Sequence, residues 1–405
     1  MKRLVAMLMA VALLVVLVVG CTQTPQSGTP TTGQSTQAPG STTAPGTKEP
    51  EGTPGTVGSG NAVQKDAFDN FPRPRVNTDG LKFGLIHSAP AWESVRASYE
   101  QVQVEAYHRG WTYVDGQFDQ ESEIRDIWQS LLDQGCDAII LHSFDFIESY
   151  ADMIAKSRNA GVGVYNTEME AIEGIVGRCG FAGAAAGIQM AYLLGDMYDW
   201  NVNIAIISAM ASSAHEERAR AFEALSKVFP SFNLLAYEDP GDSASSIAGS
   251  YRIATAWVQQ YGDKLDVIVT SADVFAQVAA QAVQAAGNTH IKTMGLDGDN
   301  NSLVALNEGG PFLMCWPQPS GQMIHTVCEM IDQIQVQNLN PGDPGCILTR
   351  ARETLRVTGS FVDASNLPAV GKPWHSVFDY YDESNPDGWW NWAPPPGLEI
   401  GRVQY

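Results

Sequence analysis

Short apolar runs alternate with helix-period stretches along most of the chain. Lys82-Phe83-Gly84-Leu85-Ile86, Asp137-Ala138-Ile139-Ile140-Leu141 and Gly161-Val162-Gly163-Val164-Tyr165 read as strands, with a shorter one over 112–114. Residues 92–109, 121–134 and 147–160 read as the helices between them. The alternation then starts again. Strands are predicted over 203–208, 233–237, 266–270 and 290–296, and helices over 215–228, 244–261 and 273–286. Runs that are apolar at every position suit parallel strands covered on both faces. Two successive sets predict an α/β fold of two doubly wound parallel-sheet lobes.

Both ends depart from this pattern. Met1-Lys2-Arg3 is basic, residues 4–19 are unbroken apolar sequence, and Gly20-Cys21 follows. A basic start, a short apolar stretch and a small residue are the order of a secretory signal peptide. The apolar stretch is shorter than the ~20 residues of a membrane span. A cysteine directly after the small residue resembles the bacterial lipobox, which implies lipidation at Cys21, export and anchoring to the cell membrane. Residues 22–60 are almost entirely Thr, Pro, Ser, Gly and Gln. Such composition cannot bury a core, and its prolines stiffen it into a spacer. At the other end, Trp374, Trp389, Trp390, Trp392 and Pro394-Pro395-Pro396 crowd a stretch without periodicity. Packing over the lobes is expected for it rather than an exposed carbohydrate-stacking strip, since bare tryptophan patches are uncommon.

Composition narrows the partners. Without leader and spacer, about 340 residues remain, more than one compact core and suited to two. A net charge of -21 argues against nucleic acid or an anionic membrane surface. Cys136, Cys179, Cys315, Cys328 and Cys346 include no Cys-x-x-Cys pair, so they read as buried apolar residues with at most one or two bridges. No metal or cofactor is implied. Dinucleotide and P-loop glycine signatures, the G-x-S-x-G elbow and zinc-type histidine pairs are all absent from the sequence. The glycines around 180–187 read as helix packing near a lobe crossover.

Asp297-Gly298-Asp299-Asn300-Asn301 followed by Glu308 copies the carboxylate spacing of an EF-hand loop. The sixth position is Ser302 instead of glycine, and a helix is expected to begin within the segment. Asp297 has another use. It follows Thr293-Met294-Gly295-Leu296, at the carboxyl end of a strand, where ligands of open α/β sheets bind. A carboxylate held there can accept hydrogen bonds from a polyol, or cap the next helix.

Four segments over residues 82–357 together resemble a type I periplasmic binding protein of the ribose- and galactose-binding family of ABC-transporter receptors. They are Phe83 to Trp92; Ser212-Ser213-Ala214-His215-Glu216-Glu217-Arg218; Val267-Ile268-Val269-Thr270-Ser271-Ala272-Asp273; and Met294-Gly295-Leu296-Asp297-Gly298. Lac-type repressors share that fold, but no helix-turn-helix precedes Lys82. The resemblance implies a non-enzymatic, monomeric receptor that binds a small-molecule ligand, a sugar or polyol, and delivers it to a membrane permease. It implies ligand contacts from Asp297 and Arg218, with Gln318 near a hinge crossing. Asp273 is retained where the family has Asn-Asp, with Ala272 in place of the asparagine. Asn166 and Thr167 fall where a ribose-type receptor has Asp-Arg. Trp92 can supply the aromatic face, and Phe144 and Asp145 are further candidates. The implied division is a leader at 1–21 and a spacer at 22–78. Lobe 1 takes 79–181 with 319–350, lobe 2 takes 182–318 with 351–364, and 365–405 is an extension. Two alternatives stay open: a receptor that reports ligand to a signalling partner, and an exported sugar-active enzyme. The enzyme would use Glu168 and Glu170 as paired carboxylates, although both are expected to be solvated.

Overall fold

A computed structural model describes residues 68–88, 93–142, 146–210, 212–241, 245–372 and 387–405. The leader, Cys21, most of the spacer, Trp92, Phe144, Asp145 and Trp374 lie outside the described residues. Lobe 1 runs β1 (Lys82–Ser88), α1 (Glu93–Arg109), β2 (Thr112–Phe118), α2 (Ile124–Asp133), β3 (Ala138–His142), α3 (Ala151–Asn159), β4 (Gly163–Thr167) and β5 (Gly177–Phe181). Lobe 2 follows with α4 (Gly183–Met197), β6 (Val202–Ile207), α5 (Ser213–Val228), β7 (Phe232–Glu238), α6 (Ser246–Tyr261), β8 (Val267–Thr270), α7 (Asp273–Ala285), β9 (Lys292–Asp297), α8 (Asn300–Glu308) and β10 (Phe312–Pro317). The chain then returns through α9 (Ser320–Ile331) and β11 (Glu353–Val357) and ends its sheet structure with β12 (Val362–Asp363).

The predicted alternation becomes two sheets, ordered β11-β5-β4-β3-β1-β2 and β12-β10-β9-β8-β6-β7. Their ladders are parallel except for β12, which runs antiparallel to β10. Successive residues of β3 serve opposite faces. Ala138 and Ile140 pack with Val102 of α1 and Met323 and Val327 of α9. Ile139 and Leu141 pack with Trp128 of α2 and Ile154 of α3. In lobe 2, Ile253 and Trp257 of α6 and Val283 of α7 cover one face. Burial on both sides is why central strands such as β3 and β8 carry no polar residue until their carboxyl ends.

The chain crosses between lobes after β5, after β10 and after β11. The expected assignment of 351–364 to lobe 2 needs correction. β11 pairs with β5, with Leu355 opposite Cys179, and belongs to the lobe 1 sheet. Only β12 joins lobe 2. Glu-Thr-Leu-Arg-Val is a half-exposed edge strand, so it lacks the continuous apolar run by which the interior strands were recognised. Cys136, Cys179, Cys315, Cys328 and Cys346 are all free thiols. Among the described residues, no helix is long and apolar enough to cross a membrane.

Candidate functional site

Ligands of such sheets bind beyond the carboxyl ends of the strands, and polar side chains of both lobes converge there. In lobe 2, α4 lies so close to α5 that a Cβ on Gly187 would sit 2.5 Å from the Arg218 carbonyl oxygen. This small-residue contact seats Arg218 against the crossover. Its Nη1 donates to Asp297 Oδ1 at 2.6 Å and to the Ser271 carbonyl at 2.9 Å, and its Nη2 donates to Gln318 Oε1 at 2.5 Å. The guanidinium lies over the Phe181 ring, 5.2 Å from the centroid.

Asp297 ends β9 with φ of 120°, a backbone conformation that a side chain strains. Gly298 follows at φ 81°, and a Cβ there would meet Pro317 at 2.5 Å. The turn is thus pressed against β10, and Gln318 N donates to the Asp297 carbonyl at 2.9 Å. Burial raises the Asp297 carboxyl to about 6, although Arg218 pulls it the other way.

Lobe 1 contributes a residue that the sequence reading set aside. Glu168 follows β4 at φ 69°, and its side chain is 16% exposed. Its carboxylate accepts from Gln318 Nε2, and its carbonyl accepts from Arg178 Nη2. Burial raises its pKa, opposed by Arg218, Gln318 and Arg178. A continuous chain, Glu168–Gln318–Arg218–Asp297, therefore runs from one lobe to the other. The lobes are drawn close around it. Among the described residues, a small cavity beside this chain is lined by Glu168, Arg178, Phe181, Glu217 and Arg218.

The expected contacts divide. Arg218, Asp297 and Gln318 meet. Asn166 does not join them: its Nδ2 donates to the Glu170 carbonyl at 2.8 Å and closes the turn that carries Glu168. Asp273 also lies behind the site, fully buried at the start of α7. Its Oδ2 accepts from Gly298 N at 2.8 Å and Asp299 N at 3.2 Å, which props the Asp297 turn from beneath. Burial and the neighbouring Asp297 push its pKa up to about 7. The expectation that Glu168 and Glu170 are both solvated is corrected as well. Glu168 is turned into the cleft by its left-handed backbone, whereas Glu170 is exposed. The EF-hand spacing is occupied by α8, which begins at Asn300. Ser302, fully buried, accepts from Gln277 Nε2 at 2.8 Å.

Sequence reasoning missed His142. Polar residues close the apolar strands of lobe 1: His87 stands opposite His142 in the β1–β3 register. His142 Nδ1 lies 2.6 Å from Thr167 Oγ1 and 4.0 Å from Glu168 Oε2. Burial and His87 lower its pKa to about 3, so the ring is neutral. The available signal was a histidine at the end of each of two adjacent apolar strands.

Two doubly wound lobes, three crossings and polar groups gathered at the lobe junction define a two-lobed binding protein of the type I periplasmic class. The chain belongs to the periplasmic binding protein domain family, whose model matches residues 87–335. It is 24% identical over 183 residues to a xylitol-binding protein of Mycolicibacterium smegmatis, which is 44% of this chain and 51% of that one. The chain thus spans about half the length of the relative it matches. Two solved structures share the fold. One is the Caulobacter myo-inositol binding protein, at 20% identity and TM-score 0.59, covering 72% of this chain and 96% of that one. The other is an arabinose binding protein of Geobacillus stearothermophilus, at 16% identity and TM-score 0.62, covering 71% and 98%.

Proposed function

We propose that this protein is the solute receptor of an ABC importer, and that it binds a monosaccharide or related polyol between its lobes without turning it over. The chain Glu168–Gln318–Arg218–Asp297 carries this reading. Carboxylates accept, a guanidinium donates and an amide does both, which matches the alternating needs of neighbouring hydroxyls. Charge-assisted bonds of this kind are the strong ones. Glu168 and Asp297 balance Arg178 and Arg218 in formal charge, which favours a neutral ligand. The relatives' names, with xylitol, myo-inositol and arabinose, agree with that choice. A sugar would enter the cleft while the lobes are apart. Ligand would then bridge them and shift a hinge equilibrium toward the closed form that the permease meets.

The receptor acts as a monomer on the outer face of the cell membrane, tethered through lipid at Cys21. Stable anchoring needs two acyl chains, since one alone is marginal. Cys21→Ser should move the protein from the membrane fraction to the soluble one.

The binding reading is tested by a thermal-shift screen of alditols, inositols, pentoses, hexoses and nucleosides. A ligand that binds only the folded state adds ~2.7 kcal/mol at a hundredfold excess over Kd. One polyol or sugar should raise the melting temperature, and Asp297→Ala should abolish the rise. A shift with nucleosides alone would discard the sugar.

A further inference from the structure

We infer that residues 387–405 form a strap that ties the two lobes together in their closed arrangement and thereby sets how long a ligand is held. The inference rests on the reading of the cleft as one that opens and closes.

One end of the strap is fixed to lobe 1. Trp389 stacks on His325 of α9 at 4.7 Å and 13°, and Trp392 stacks on His108 of α1 at 4.8 Å and 13°. The Arg109 guanidinium lies 5.7 Å from the Trp392 ring centroid, and His108 Nε2 is 2.8 Å from the Ala393 carbonyl. The platform beneath is rigid. Glu105, fully buried, lies 2.8 Å from His325 Nδ1 of α9, and Arg109, held within α1 by Glu105 at 2.8 Å, reaches Glu329 of α9.

The other end is fixed to lobe 2. Val403 is fully buried among Leu303, Leu306, Phe312 and Val362. Its N–H donates to the Lys372 carbonyl at 3.0 Å, and its carbonyl accepts from Gly371 N at 2.9 Å. Gln404 N donates to Asn300 Oδ1 of α8 at 2.8 Å. Between the anchors, Gly401 N donates to Glu100 Oε2 of α1 at 2.7 Å.

Gly401 and Gln404 are therefore bonded to opposite lobes only three residues apart. Three residues span about 10 Å at full stretch, so wider opening must break one bond. The same junction is tightened by the Glu93 carboxylate of α1, which accepts from Asn300 N across the lobes. The strap contacts named here fall on Glu100, Arg109, His108, His325 and Asn300 and not on Glu168, Arg218, Asp297 or Gln318, so they act on the open–closed balance and not on ligand recognition. Losing an aromatic stack or one such hydrogen bond should shift that balance by roughly tenfold.

The test is the distance between spin labels at exposed Asp126 in α2 and Lys227 in α5, measured by double electron–electron resonance on the full chain with Cys346→Ser. Two separate variants cut the strap: Trp389→Ala and Trp392→Ala with Glu100→Ala at the lobe 1 end, and Asn300→Ala with Val403→Ser at the lobe 2 end. Longer ligand-free distances in both, with unchanged far-ultraviolet circular dichroism, are expected. Ligand-free distances equal to those of the parent in both would overturn the strap. Xylitol, myo-inositol and arabinose are then added to the same samples. If the variants lengthen but none of these probes shortens them, the strap stands and the polyol cleft reading fails.

Discussion

Arg218 Nη1 meets Asp297 Oδ1 at 2.6 Å, with the two side chains only 4% and 7% exposed. A buried pair of this kind is weak support for stability, yet removing one partner strands the other charge and destabilises by about 3–5 kcal/mol. Asp297→Ala should therefore lose stability as well as ligand. Arg218→Met combined with Asp297→Leu should recover most of the stability in urea unfolding while isothermal titration still detects no ligand. Recovery of both together would remove the pair from the binding site.

Glu168 behaves differently, because its carboxylate faces an amide and not a dedicated cation. Its raised pKa shows that the folded state disfavours its charge. Glu168→Ala should leave the melting temperature unchanged or higher. Hydrogen bonds to charged groups contribute about 1.5–3 kcal/mol, so affinity should fall by roughly ten- to a hundredfold. Glu168→Gln, which keeps one acceptor, should lie between. A large loss of stability in Glu168→Ala would mean that the residue holds the lobes and not the ligand.

The fold was legible because interior strands such as Ala138–His142 are apolar up to their last residue, a pattern that depends only on burial. The edge strand Glu353–Val357 was not, since half its residues face water and its pairing with β5 is nonlocal. Asp297 was legible from its place at a strand end, whereas Arg218 and Gln318 were named only through the resemblance of their segments to the family. Glu168 and Asn166 exchanged the expected roles because a single left-handed residue decides which side chain of a turn enters the cleft. Asp273 was expected among the ligand contacts, but whether a carboxylate faces the ligand or the backbone behind it depends on the turn that follows the neighbouring strand.

Asp273 gives a pH dependence whose sign follows from its burial. Its carboxyl is raised to about 7 in the folded protein, against a usual 3.8. Between those values the folded state binds the proton more tightly, so this group's contribution to stability falls as pH rises from about 4 to about 7 and is flat beyond. Asp273→Asn removes the titration while keeping an acceptor for Gly298 and Asp299. The variant should gain on the parent with rising pH, by up to on the order of 4 kcal/mol at about 1.4 kcal/mol per unit. Urea midpoints at pH 4.5, 6 and 7.5 measure the difference. His142 and His215, both lowered to about 3 by burial, slope the opposite way in both proteins and cancel in the comparison. A pH-independent difference would mean that Asp273 keeps an ordinary carboxyl.

Arg356 of β11 and Glu217 of α5 form a bidentate pair across the lobes, with both N–O distances 2.9 Å. The side chains are 41% and 29% exposed, which puts the pair among those contributing about 0.2–1 kcal/mol. Glu217 borders the cavity beside Glu168 and Arg218 but Arg356 does not, so loss of Arg356 should speed lobe opening while leaving the Glu168–Asp297 chain in place. Arg356→Met is expected to raise the ligand dissociation rate no more than about fivefold at low salt. The effect should shrink in 1 M salt, where the screening length is ~3 Å. The charge swap Arg356→Glu with Glu217→Arg should restore the slower rate. Stopped-flow displacement at two salt concentrations decides the matter: an effect that survives high salt would assign Arg356 to packing at the crossing, through its 3.2 Å bond to the Phe181 carbonyl, and not to charge.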